Sequence, residues 1–141
     1  MVAATQYRYR VLHGENTIET YTQEEAVEIA RRLALESGSD IHIYDSDDKI
    51  KARVFLYDGK SYVDYYLSDR IAVCEIIVHG KPRIASARIP VNIILDYLAQ
   101  GATIENLTSQ AYYPDLTPED ILACIAYASS VIEQTQREPH A

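Results

Sequence analysis

Tryptophan is absent from this sequence, phenylalanine occurs once, and the two cysteines, Cys74 and Cys124, stand far apart with no CxxC pair. That excludes a disulfide framework and a cysteine-built zinc site, and it predicts a reducing, cytoplasmic setting with both thiols acting as small buried hydrophobes. No apolar run approaches the roughly 18 to 20 residues that cross a bilayer, and Met1 to Arg10 carries Tyr and Arg rather than an apolar signal core. No membrane partner is expected. Phosphate loop, dinucleotide fingerprint and nucleophile elbow are all missing, so the chain is read as a non-enzyme without catalytic residues, metal or cofactor. Cations are scarce as well: 13 Lys and Arg face 21 Asp and Glu, a net charge of −8 in 141 residues. Such acidity opposes nucleic acid as a partner unless the cations gather on one face.

What is present organises into two parts. Gln6 to Leu12 alternates aromatic and charged residues as a strand with one buried face, turns at His13 to Asn16 and returns over Thr17 to Tyr21. Thr22 with Glu25 forms a capping-box signature for a helix from Gln23, whose stripe is Ala26, Ile29, Ala30 and Leu33 and whose end is Gly38. Ile41 to Tyr44 reads as a strand, with His42 on its exposed face. Val54 to Tyr57 and Tyr62 to Leu67 flank Asp58-Gly59, a tight-hairpin dipeptide.

Composition changes near Asp69, which predicts units at 1–68 and 69–141. Ile71 to Val78 is mostly β-branched, and after Gly80 the chain is expected to turn helical. Pro90 fits the first position of a helix with apolar face Val91, Ile94, Leu95 and Leu98, closed by Gly101. Thr103 caps a short helix through Ala111. Thr117-Pro-Glu-Asp120 then starts a last helix from Pro118 to about Thr135, with Arg137 to Ala141 fraying. The expected fold is α+β: a small antiparallel sheet with one helix, then a three-helix bundle.

Asp69-Arg-Ile71, His79-Gly-Lys-Pro-Arg-Ile84, Arg88-Ile-Pro-Val91, Leu116-Thr-Pro-Glu-Asp-Ile121 and Ala126-Tyr-Ala128 occur in an order and spacing that resemble the small bacterial family named domain of unknown function 433, over about residues 69 to 132. The resemblance implies a homeodomain-like, helix-turn-helix-like bundle and, as in some members, an antitoxin of a toxin–antitoxin pair. Ser86-Ala87 departs from the Gly-Thr that members usually carry there. The N-terminal half is weakly similar to a second small uncharacterised family with a strand-strand-helix-strand plan.

Two charge features carry functional expectations. Lys81, Arg83 and Arg88, with the Ser86 hydroxyl, form an acid-free basic arm that could bind phosphates or acidic side chains; the structural alternative pairs its cations with Asp96, Glu105 or Asp115. From Ile89 to Gln136 there is no Lys, Arg or His, while six acids give −6. A recognition helix of that charge would be repelled by DNA. The expected function is therefore a regulatory interaction module, antitoxin-like, in which Asp96, Glu105, Glu119 and Asp120 dock a basic partner protein. The alternative is a DNA-binding regulator that works through the arm. Ile121, Leu122, Ile125, Ala128, Val131 and Ile132 spread over a wide arc of the last helix, which predicts a homodimer through that unit, with the N-terminal sheet as the competing cover.

Three further signals are weaker. Asp45-Ser-Asp47-Asp48 has oxygen ligands at alternate positions but Ile50 where a calcium loop requires Gly, so a solvated turn is predicted. His13, His42, His79 and His140 lack metal-site spacing. Twelve Tyr, four of them around Asp58-Gly59, fit either an interface or the core of a sheet short of Phe.

Overall fold

The computed structural model describes residues 8–137. Gln6 and Tyr7 at the expected strand start, the terminal residues beyond Arg137 and His140 lie outside that range. The chain is α+β and falls into two compact units that divide between Asp69 and Arg70.

In the first unit, β1 (Tyr9–His13) and β2 (Asn16–Thr20) form a hairpin, α1 (Gln23–Ser37) follows, and β3 (Ile41–Asp45), β4 (Ile50–Tyr57) and β5 (Lys60–Tyr66) complete an antiparallel sheet of order β2-β1-β3-β4-β5. The turn between β4 and β5 is the expected pair: Asp58 and Gly59 have φ of 51° and 76°, the left-handed geometry that matches a two-residue turn to strand twist. Thr22 caps α1 by accepting the Glu25 N–H at 3.1 Å. The Glu25 carboxylate accepts from the Thr22 hydroxyl instead of reaching the Thr22 backbone, so the box closes side chain to side chain.

Ala26, Ala30 and Ala34 recur every four residues on one face of α1 and are fully buried, which lets the helix lie close on Val11, Ile41, Ile43, Ala52 and Val54. Ile29 and Leu33, predicted for the same stripe, are only partly buried at its edge. The other face of the sheet carries the alternate residues. On it, Arg53 reaches Asp40 at 2.9 Å and the fully buried Asp64 at 3.2 Å, and its guanidinium lies 4.5 Å from the Phe55 ring centre. His42, directly opposite Arg53 in the register, is half-buried there rather than exposed.

The second unit corrects the expected topology. Instead of turning helical after Gly80, the chain forms β6 (Ile71–Val73), a 3-10 turn at Val78–Gly80, and β7 (Arg83–Ile84), which pairs back so that Ile71 faces Ile84 and Ala72 faces Arg83. Only then come α2 (Val91–Ala99), α3 (Ile104–Leu107) and α4 (Pro118–Arg137). Pro90 caps α2 from outside rather than opening it. α3 is a single turn that stops well short of Ala111, held by a capping box in which Thr103 and Asn106 satisfy each other's backbone N–H. The unit is thus a short hairpin followed by the three expected helices, two of them longer and one a single turn. Ile71, Ile84, Val91, Ile94, Leu107, Leu116, Ile121 and Cys124 make its core.

Val78, His79 and Gly80 have φ of 49°, 57° and 74°, three left-handed residues in succession. Such a conformation costs a non-glycine residue roughly 1–2 kcal/mol. His79 is exposed, so His79→Gly is expected to raise stability by about 0.5–1 kcal/mol, seen as a melting temperature higher by a few degrees. An unchanged or lower melting temperature would mean that the His79 side chain contributes more than the strain removes.

Candidate functional site

The basic arm is built into the second unit's backbone. Ala85 N–H donates to Arg70 C=O at 2.7 Å, Ile84 N–H to Ile89 C=O at 3.0 Å, Ala87 N–H to Ile84 C=O at 3.0 Å, and Val91 N–H to Pro82 C=O at 3.0 Å. Residues 84–89 thereby close as a stitched loop with Ser86 exposed at its tip. Arg83 does not point outward. It is 2% exposed, and its Nε donates to the Ala87 carbonyl at 3.2 Å across the loop. The expectation that Arg83 contacts an external anion is corrected here: a guanidinium so placed tightens the Ile84–Ala87 turn. Lys81, Ser86 and Arg88 are exposed, and among the described residues neither Lys81 nor Arg88 has an ion-pair partner.

The acidic residues also separate into two kinds. Asp120 is 4% exposed; its carboxylate accepts from the Thr117 N–H at 3.0 Å and from Arg70 Nη1 at 2.9 Å, while its own N–H donates to Thr117 Oγ1 at 3.3 Å. It is the second half of a capping box that closes the start of α4, so its expected place on a partner-binding surface is corrected. Asp96 on α2, Glu105 on α3 and Glu119 on α4 are exposed, and among the described residues they make no ion pair with the arm or with any other cation. Cys124, one turn after Asp120, is fully buried; burial and then the nearby Asp120 carboxylate push its thiol up to about 11. A thiol so raised and covered is inert as a nucleophile.

Sequence reading missed a groove. Pro82 and the α2 residues Val91 and Leu95 on one side, and Tyr127, Val131 and Ile132 of α4 on the other, enclose about 440 Å3, with Lys81 and Asn92 at the rim. The signal was present in the apolar positions of α2 and α4. All were assigned to helix stripes, and Pro82 and Tyr127 were not linked to them because that pairing is set by the tertiary fold.

The aromatic and acidic clusters elsewhere take structural roles. Tyr97 holds Tyr112 and Tyr113 edge-on at ring distances of 5.5 and 6.4 Å, and burial followed by the nearby Tyr97 raises the Tyr113 hydroxyl above its ordinary pKa. In the first unit Tyr62 lies 6.1 Å from Phe55 and edge-on to Tyr57 at 6.5 Å. Asp45 in the calcium-like segment accepts the N–H groups of Asp47 and Lys49 at 2.8 and 3.0 Å, and the Lys49 N–H above all holds its carboxyl below the ordinary value. That is a self-capped turn. Among the described residues no three His, Cys, Asp or Glu side chains converge as metal ligands, and no helix is long and apolar enough to cross a membrane.

Residues 71–128 match the family model described as protein of unknown function (DUF433). The second unit carries the DUF433 pattern. Within it the His79-Gly80-Lys81-Pro82 segment is the left-handed turn and groove rim, and Arg88-Ile89-Pro90-Val91 leads into α2. Residues 11–53 match a second model, an uncharacterized protein conserved in bacteria (DUF2188), which spans β1 to part of β4. No curated protein and no solved structure matches.

Proposed function

We propose that the protein is a non-catalytic, antitoxin-like regulatory module whose second unit docks a basic partner protein through its acidic helical surface. The observation that carries this reading is that Asp96, Glu105 and Glu119 stand exposed on three helices, without an ion pair among the described residues, in a unit with no Lys, Arg or His between Ile89 and Gln136. Unneutralised charges of one sign steer a partner of the opposite sign and reject DNA. DNA binding through the arm is the weaker reading, because with Arg83 inside only Lys81 and Arg88 remain to meet phosphates. Specific protein–DNA affinity rests on several such contacts per site.

Tagged protein purified from its native host at low salt is expected to bring down one stoichiometric, net-basic protein, which elutes when salt shortens the screening length towards a few ångströms. Recovery of no stoichiometric partner, or of an acidic one that salt does not release, would overturn the reading.

A further inference from the structure

We propose that α4 pairs with α4 of a second copy of this chain, antiparallel, along the stripe Leu122, Ile125, Ser129 and Ile132. These positions are separated by three, four and three residues, the spacing of a two-helix seam, and fall on one side of the helix. The three apolar members are 54%, 42% and 59% exposed, whereas Ile121 and Cys124 on the adjoining side are fully buried in the unit's own core. Every residue from Ser129 to Thr135 is exposed, so the second half of α4 extends beyond the core that anchors its first half. Apolar positions at seam spacing on such an extension are what a partner helix covers.

A second copy is the occupant that matches both the seam and its charges. The seam is self-complementary about Tyr127: antiparallel pairing sets Leu122 against the partner's Ile132 and Ile125 against the partner's small Ser129, next to the crossing where two helices approach most closely. α4 carries Glu119, Asp120 and Glu133 and no cation before its last residue, so a parallel pair would align like charges along its length. Antiparallel pairing separates them and opposes the helix dipoles favourably. The groove that Ile132 lines also carries Lys81, exposed and without an ion-pair partner among the described residues, opposite in sign to the acidic helix that would arrive there. This interface uses a surface distinct from Asp96, Glu105 and Glu119, and it stands or falls apart from the partner-docking reading.

Light scattering of the full chain from low to hundreds of micromolar is expected to give twice the chain mass of 15.9 kDa. Ile125→Glu and Ile132→Glu, both at exposed positions, are expected to give the single-chain mass with an unchanged circular-dichroism spectrum and melting curve. Orientation is read by oxidative cross-linking of single-cysteine additions, since Cys74 and Cys124 are buried. Ser129→Cys, near the axis, is expected to link to its own copy. Leu122→Cys is not, because antiparallel pairing places the two copies about 15 Å apart along the helix. A wild-type chain that stays at single-chain mass throughout, Glu variants that remain dimeric, or efficient self-linking of Leu122→Cys would each overturn the proposal.

Discussion

Arg83→Ala is expected to lower the stability of the second unit by about 2–4 kcal/mol, while Arg88→Ala, five residues from it in the same arm, changes it by less than about 0.5 kcal/mol. The difference comes from direction. Arg83 is 2% exposed and its guanidinium holds the Ala87 carbonyl at 3.2 Å, so truncation leaves that carbonyl with one donor fewer and a side-chain-sized void beside Ile84. Arg88 is exposed and makes no ion pair among the described residues, so water replaces it at little cost. Chemical denaturation of both variants checks this, and Arg83→Ala should shift the midpoint without changing the slope. Equal small effects would return Arg83 to the surface as a binding residue.

The second large effect lies in the first unit. Arg53→Met is expected to cost about 3 kcal/mol, because it leaves the fully buried Asp64 carboxylate without the guanidinium that lies 3.2 Å from it. Burial works against the Arg53 charge, yet the Asp40 and Asp64 carboxylates outweigh it and hold the guanidinium more firmly protonated than usual. Asp40 has about half its side chain in solvent, so Asp40→Ala should cost less than about 1 kcal/mol. Thermal unfolding separates the two: a similar small loss in both would mean that Asp64 is satisfied without Arg53.

Where local chemistry decides structure, the sequence was readable. Thr22 and Gly38 bound α1, Thr117-Pro118 opens α4, and Asp58-Gly59 turns the last hairpin of the first unit, because caps and left-handed turns depend on residues a few positions apart. β7 was not readable. Two residues show no periodicity, and what makes Arg83-Ile84 a strand is pairing with Ile71 and Ala72, about a dozen positions earlier in the chain. The same non-local pairing turns Arg83 inward, against the ordinary rule that arginine is exposed. Asp120 shows a different failure: Thr117-x-x-Asp120 was a visible capping box, but the acid was counted with its neighbours as surface charge. α3 ends early where the Thr108 and Ser109 hydroxyls take the Ile104 and Asn106 carbonyls, and the Tyr127–Pro82 wall of the groove depended on packing between segments that no local pattern joins.

The central claim, that exposed acids of the second unit dock a basic partner, is tested most directly by titrating the recovered partner against the wild-type chain and against Asp96→Lys/Glu105→Lys/Glu119→Lys at two salt concentrations. The account predicts that wild-type affinity falls as salt rises from about 50 to 500 mM and that the triple variant, folded as judged by circular dichroism, binds at least about 100-fold more weakly at low salt, or about 2.7 kcal/mol. An affinity that neither charge reversal nor salt alters would contradict it.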